Sequence, residues 1–323
     1  MKWNLGLNFY SSKIILFNPV DLENDDFKKV IESDKYHIYL ICKRKKIFFE
    51  TTFSDGDFNK TILYWLDDRH NKQILPYIHP KAFKINFLKD GYYNVNNNVV
   101  NGGFMRDYEL INYFSFLDKD MIGTTQPNPL PSDLEVMYIG QAFGRTKTKK
   151  IDYRLENHDK IQKIAIDILN KGSNEEVLII GLKIEVKDLA TSILTIDSST
   201  KAPTLSELIE LQKKASLRIP EGQEITMFEA SLIRYFQPRL NTEYKGTFPK
   251  RHISYEDIFN TNFDYSAMEI NTSPTLCRIY SEKIQERKYI HSQHYPLTSK
   301  SEKESFFEYL LEISEYVKTN PDS

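Results

Sequence analysis

Five residues in two separated stretches of this chain have the types and spacing to act on a phosphate ester. Arg154 and His158 stand four apart in YRLENH, so on a helix they share one face. A guanidinium is always charged, and its planar fork matches phosphate oxygens. A histidine one turn away titrates near neutrality and can orient water, contact phosphate or share a proton. Tyr138 opens Tyr138-Ile139-Gly140, where Gly140 permits close backbone approach at a strand end. An unperturbed phenol, with a pKa near ~10, is a poor base, so a nearby cation must lower it before it can deprotonate water. Glu229 and Asn241 add a carboxylate and an amide further along. Hydrolysis of a phosphodiester needs an aimed water and relief of the charge growing on the phosphoryl and leaving oxygens. Each residue also has a plain reading. Glu229 fits an ordinary carboxylate on an amphipathic helix, and His158 fits a surface histidine beside Glu156 or Asp159. Tyr138 fits a strand tyrosine with its ring in the core, and Asn241 a loop residue.

Taken together, MYIGQAFGR…YRLENH (Met137 to His158) and FEASLIRYFQPRLN (Phe228 to Asn241) resemble the active site of GIY-YIG nucleases, metal-dependent enzymes that cut DNA phosphodiesters. The resemblance covers roughly residues 108–245 and is broken by insertions. It implies that Glu229 holds a divalent metal, Mg2+ with Mn2+ able to substitute. One carboxylate completed by waters and substrate phosphate is a normal Mg2+ arrangement. It further implies that Arg154 neutralises phosphoryl oxygens and that His158 fills a position held by histidine or tyrosine in relatives. Asn241, following Pro238, would brace the site, and Tyr138 would position or deprotonate water. Arg145 is a rival to Arg154, but the RxxxH pattern follows Arg154. The chain departs from the family twice. No GIY precedes YIG at the usual short distance; Ile111-Asn112-Tyr113 is the closest imitation, which makes Tyr113 the candidate, with Tyr108 second. Gln141 stands where relatives often carry lysine, which removes one phosphate contact.

The elements that must position these residues follow from local pattern. The expected fold class is α+β: a GIY-YIG-like small antiparallel β-sheet flanked by helices, with additional β-rich or mixed flanking regions. ELINYFSFL, LEVMYIGQA and EVLIIGLKIEV read as strands by aromatic and apolar content. YRLENHDKIQKIAIDILNKG and ITMFEASLIRYF read as helices, the second stopped by Pro238. TLSELIELQKKASLRI reads as an inserted helix with Thr204 and Glu207 in a capping box. Residues 1–105 read as a separate mixed or β-rich domain, 106–249 as the nuclease-like domain with an insertion at about 187–223, and 250–323 as an extension. In the first region, Lys35 to Phe53 reads as a hairpin around Lys43-Arg44-Lys45-Lys46. Ile62 through Leu66 shows helical spacing, and the asparagine-rich Asn94 to Gly103 marks a boundary or a long hairpin loop. The tail holds an aromatic strand, RKYIHSQHYPL, and a terminal helix.

Composition sets outer limits. The 323 residues can bury a sizeable core without staples. Two cysteines make neither a disulfide framework nor a zinc spacing, and with no signal-like N-terminus they point to a reducing, cytoplasmic setting. No stretch approaches the ~20 apolar residues of a membrane span. The formal net charge is only −2, yet basic residues cluster beside both motif halves. Arg145, Lys147, Lys149 and Lys150 form one group; Arg234, Arg239 and Lys245 form the other. Local basic surface matters more than global charge for phosphate contact, so these seven are the expected nucleic-acid contacts, to DNA foremost and with RNA permitted. The expected activity is single-metal DNA hydrolysis, with the unmatched flanks fitting a restriction or phage-defence enzyme, a homodimer or a protein partner. The alternative is a catalytically degenerate module that binds nucleic acid or a protein. The nuclease reading requires Tyr138, Arg154, His158 and Glu229 to converge on one concave face.

Overall fold

The computed structural model describes residues 6–34, 36–56, 58–67, 69–80, 84–87, 92–96, 103–106, 112, 130, 132–141, 166, 174–187, 204–206, 209, 221–243 and 264–306. Its main sheet uses β1 (Gly6–Phe17), β2 (Ile38–Lys45), β9 (Leu134–Gln141), β10 (Glu175–Lys187), β11 (Tyr265–Asn271), β12 (Ile279–Tyr280) and β13 (Ile290–Pro296). Between β2 and β9 the chain forms two three-stranded antiparallel sheets. One is β3 (Phe48–Asp55), β4 (Phe58–Leu66) and β5 (Lys72–Pro80); the other is β6 (Lys84–Phe87), β7 (Tyr92–Asn96) and β8 (Gly103–Arg106). Helices among the described residues include α1 (Asp25–Asp34), α2 (Glu221–Phe236) and α3 (Arg239–Glu243).

The main sheet corrects the expected fold class. It is a curled, mixed, seven-stranded sheet with the order β12-β9-β2-β10-β1-β11-β13, mostly β with few helices among the described residues, rather than a small antiparallel sheet flanked by helices. β1–β11 and β12–β9 are parallel; the other pairings are antiparallel. The sheet grows because strands from all three expected regions join it. β1 and β2 come from the first 105 residues, and β11, β12 and β13 from beyond residue 249.

Burial on both faces explains the apolar strands. Ile38, Leu40 and Cys42 of β2 enter one core with Leu178, Ile180 and Leu182 of β10 and Ile139 of β9. Tyr39 and Ile41 enter the core on the other face with Ile179, Met137 and Tyr138. The first core is closed by α2, whose residues Ile225, Phe228, Leu232 and Phe236 pack into it. Each fully buried Phe or Leu contributes about 1.5–3 kcal/mol. The helix is buried on its far side too, where the Tyr295 hydroxyl donates to the Ser231 carbonyl at 2.9 Å and Phe306 covers the ring of Tyr295. The second core is closed by Leu22, Ile31 of α1 and Leu240 of α3.

Two local expectations are also corrected. The segment Lys35 to Phe53 is not a hairpin: β2 has both edges taken by β9 and β10, and β3 pairs with β4. Its basic run is not a turn, since Lys43, Arg44 and Lys45 lie in β2, where Arg44 is buried and donates to Glu176 and Asn112. Ile62 to Leu66 lies in strand β4, where aromatic and β-branched residues favour extended backbone over the helical spacing. β7 and β8, at the two ends of the asparagine-rich stretch, pair antiparallel, which fits its hairpin alternative. β9, β10, α2 and β13 lie where the sequence pattern puts strands and a helix. ELINYFSFL and YRLENHDKIQKIAIDILNKG fall outside the described residues apart from Asn112 and Ile166, and the inserted helix apart from Thr204, Leu205, Ser206 and Ile209. No helix among the described residues is long and apolar enough to cross a membrane.

Candidate functional site

The C-terminal half of β9 is where the two motif halves meet. On one side β9 pairs with β2, with Tyr138 opposite Ile41, Ile139 opposite Leu40 and Gly140 opposite Tyr39. On its other side β12 covers only Leu134 and Glu135. A fork fixes that short pairing: Arg278 Nε and a terminal guanidinium nitrogen donate to the two Asp133 carboxylate oxygens, each at 2.7 Å. Beyond β12 the outward peptide groups of β9 need other partners.

Asn241 supplies them. The Ile139 N–H donates to Asn241 Oδ1 at 2.8 Å, and Asn241 Nδ2 donates to the Ile139 carbonyl at 2.9 Å. A side-chain amide here does the work of a missing strand. α3 delivers it because Pro238 ends the preceding helix, Gln237 turns the chain at φ 44°, and Leu240 anchors α3 in the core beside Tyr138. Asn241 is 1% exposed. Asn241 thus clips directly onto the central residue of Tyr138-Ile139-Gly140.

Glu229 joins the same strand two residues further along. Gln141 Nε2 donates to Glu229 Oε2 at 2.6 Å and to Thr226 Oγ1 at 3.2 Å. The Thr226 hydroxyl in turn donates to the Gly222 carbonyl at 2.8 Å. Glu229 is only 4% exposed, flanked on α2 by buried Phe228 and Ala230. A carboxylate buried to this degree is costly unless it is hydrogen-bonded or meets positive charge. Glu229 is therefore not the ordinary surface carboxylate of its plain reading.

The tyrosines stand differently. Tyr138 is 2% exposed and packs beside Tyr39, ring centroids 6.1 Å apart. Both rings crowd Gly140, where an added Cβ would lie 2.7 Å from the Tyr39 hydroxyl and 2.9 Å from Tyr138 Cε1. Alternation along β9 puts Ile139 and Gln141 on the α2 face and Tyr138 on the other. Tyr138 and Glu229 thus lie at the same end of β9 but on opposite faces of the sheet, and the expected convergence on one concave face does not include Tyr138. The partner of the YIG strand also differs from expectation. It is Tyr39-Leu40-Ile41, antiparallel to Tyr138-Ile139-Gly140, so the tyrosine beside Gly140 among the described residues is Tyr39, while Tyr113 and Tyr108 lie outside them. An isoleucine–tyrosine pair opening an apolar run was the available signal; its distance from YIG along the chain hid it.

The remaining expected residues divide in two. Arg154, His158, Tyr113, Arg145, Lys147, Lys149, Lys150 and Lys245 lie outside the described residues. Arg239 is exposed at the start of α3, two residues before Asn241. Arg234 is committed elsewhere, donating to the Ser305 carbonyl and, at 2.8 Å, to the Ser305 hydroxyl, where it ties α2 to the helical segment 300–306. The cysteines form no nucleophilic site: both are fully buried, and burial pushes Cys277 up to about 11 and Cys42 well above its ordinary value. No group of three or more His, Cys, Asp or Glu side chains with metal-holding geometry occurs among the described residues.

Comparison of the chain with protein-family models, curated proteins and solved structures finds no match.

Proposed function

We propose that this protein is a metal-dependent endonuclease that hydrolyses DNA phosphodiester bonds, with Glu229 as its metal ligand. The observation that carries this reading is the junction of the two motif halves. Hydrogen bonds join Asn241 to Ile139 and Glu229 to Gln141 across about a hundred residues of sequence. Chance resemblance of two short stretches gives no reason for their key polar residues to meet.

Glu229 fits one kind of metal. A single buried carboxylate with an uncharged donor on one oxygen suits Mg2+, which keeps several waters and takes substrate phosphate, better than it suits zinc or calcium held in a protein cage. When bound, the ion would supply Lewis-acid stabilisation of the phosphoryl charge. In this reading Arg154 binds the phosphate, Arg239 and the basic residues from Arg145 to Lys150 hold the backbone, and His158 handles the proton. This reading gives up the requirement that Tyr138 share the face of Glu229: Tyr138 and Tyr39 wall the strand end from the far face, and neither activates the water. A restriction or phage-defence role, with the flanks used for recognition or pairing, is the setting proposed for it.

A second reading has its own observation. Both tyrosines are buried on the face opposite Glu229, which favours a degenerate module that binds nucleic acid without cutting it. Cleavage of supercoiled plasmid and of short branched DNA with Mg2+ or Mn2+ separates the two, comparing wild type with Glu229→Ala at equal thermal stability. Nicking that needs metal and falls by at least about a hundredfold in the variant is the expected result. Binding by both proteins with no cutting by either would leave the degenerate module as the correct reading.

A further inference from the structure

We infer that Gln141 is a positioning residue for Glu229: it aims the carboxylate at a divalent cation without bringing a competing charge. The inference rests on the metal role proposed for Glu229. Its own basis is the hydrogen-bond chain at the end of β9. One Gln141 amide nitrogen reaches both Glu229 Oε2, at 2.6 Å, and Thr226 Oγ1, at 3.2 Å. The Thr226 hydroxyl cannot swing away, because its proton is held by the Gly222 carbonyl and the residue is 1% exposed. The acceptors at Glu229 and Thr226 therefore fix which end of the Gln141 amide faces α2. The strand fixes its root, since the neighbouring Ile139 is clamped by β2 on one side and Asn241 on the other. Glu229 and Gln141 come from different elements, and each restricts the other.

The chemistry of the donor matters as much as its place. A lysine at 141 would also reach a carboxylate, but its ammonium would neutralise the charge that draws a cation. A glutamine amide holds one carboxylate oxygen with a neutral donor and leaves the negative charge in the site. Partners of metal ligands that hold them by hydrogen bonds typically alter affinity about 10–100-fold when removed. Gln141 thus sets cation affinity rather than contacting phosphate.

Mn2+ binding to the full chain tests this without relying on activity, using loss of the free-ion paramagnetic resonance signal as the readout. Wild type is compared with Gln141→Met, Gln141→Lys, Thr226→Val and Glu229→Gln, each checked for unchanged unfolding temperature without metal. The expected pattern is loss of the site in Glu229→Gln, at least about tenfold weaker binding in Gln141→Met, a larger loss in Gln141→Lys, and a change in the same direction in Thr226→Val. If Gln141→Met does not fold, the lysine and Thr226 variants carry the test. Affinities of the Gln141 and Thr226 variants within twofold of wild type, with the site still lost in Glu229→Gln, would overturn the positioning role and leave the metal ligand standing. Equal Mn2+ binding by wild type and Glu229→Gln would remove the metal ligand, and the positioning role with it.

Discussion

Asn241 shows how a single amide can complete a sheet. Its carboxamide presents one acceptor and one donor in the spacing of a peptide group, and Ile139 offers the complementary pair. Truncation in Asn241→Ala leaves a buried N–H and a buried C=O unpaired, each worth about 1–3 kcal/mol. The variant is expected to unfold at clearly lower urea concentration with an unchanged slope. Asn241→Asp should be no better than alanine despite its shape, because a second acceptor then faces the Ile139 carbonyl. Urea midpoints matching wild type in both variants would sink this account. Which residues formed the site was partly legible in the chain. Glu229 and Asn241 were readable because a helix stop and a proline fix their spacing locally. Tyr39 was not, because its relation to Tyr138 exists only after a long-range strand pairing forms.

Elements obey the same division. β9, β10, α2 and β13 were readable from periodicity and punctuation, since their patterns are set by burial along each segment. The pairing of β2 was not: its neighbours lie far downstream, and the local sequence offered β3 as a nearer partner. Where α2 meets β13, a titratable contact follows from the packing. His291 is buried, with Nε2 at 3.0 Å from the Ile279 carbonyl and Nδ1 at 3.1 Å from the Tyr235 hydroxyl. A carbonyl only accepts, so Nε2 carries the proton and Nδ1 receives the tyrosine's hydrogen bond. Burial lowers the His291 pKa from its ordinary 6.5; hydrogen bonding to the Ile279 and Lys288 backbone and the Glu286 charge oppose it to a lesser degree, and the Lys288 charge adds to it. The unfolded chain then binds the extra proton more readily than the folded one, so the stabilising contribution is full above pH 6.5 and declines as the pH falls toward the lowered folded value. Thermal unfolding between pH 7.5 and 5 is expected to show a fall that His291→Gln flattens. Parallel pH curves for the two proteins would show that the histidine does not titrate in this contact.

At the scale of the whole molecule, strands from before residue 105, from between 106 and 249 and from beyond 249 share one sheet. β2 sits between β9 and β10 in the main sheet, and β1 joins β10 to β11. A fragment of residues 106–249 would keep β9 and β10 but lose the strand between them. It is expected to lack a cooperative unfolding transition and dispersed amide resonances, whereas the full chain shows both. A fragment that folds and binds Mn2+ would overturn this view of the sheet. The two small sheets between β2 and β9 are an excursion from the main sheet, leaving at Lys45 and returning at Leu134.

The pairing of Tyr10 with Glu185 spans 175 residues. At about 5–20 residues per second, a ribosome needs roughly 9–35 s to make that interval. During synthesis β1, with its aromatic and aliphatic faces, waits that long, and β2 somewhat less, before β10 can lie between them. Their edges are open to other chains throughout. Production of this protein at high rate is therefore set by how well the nascent N-terminal strands are shielded, and slower translation across residues 46–174 lengthens the exposure rather than relieving it.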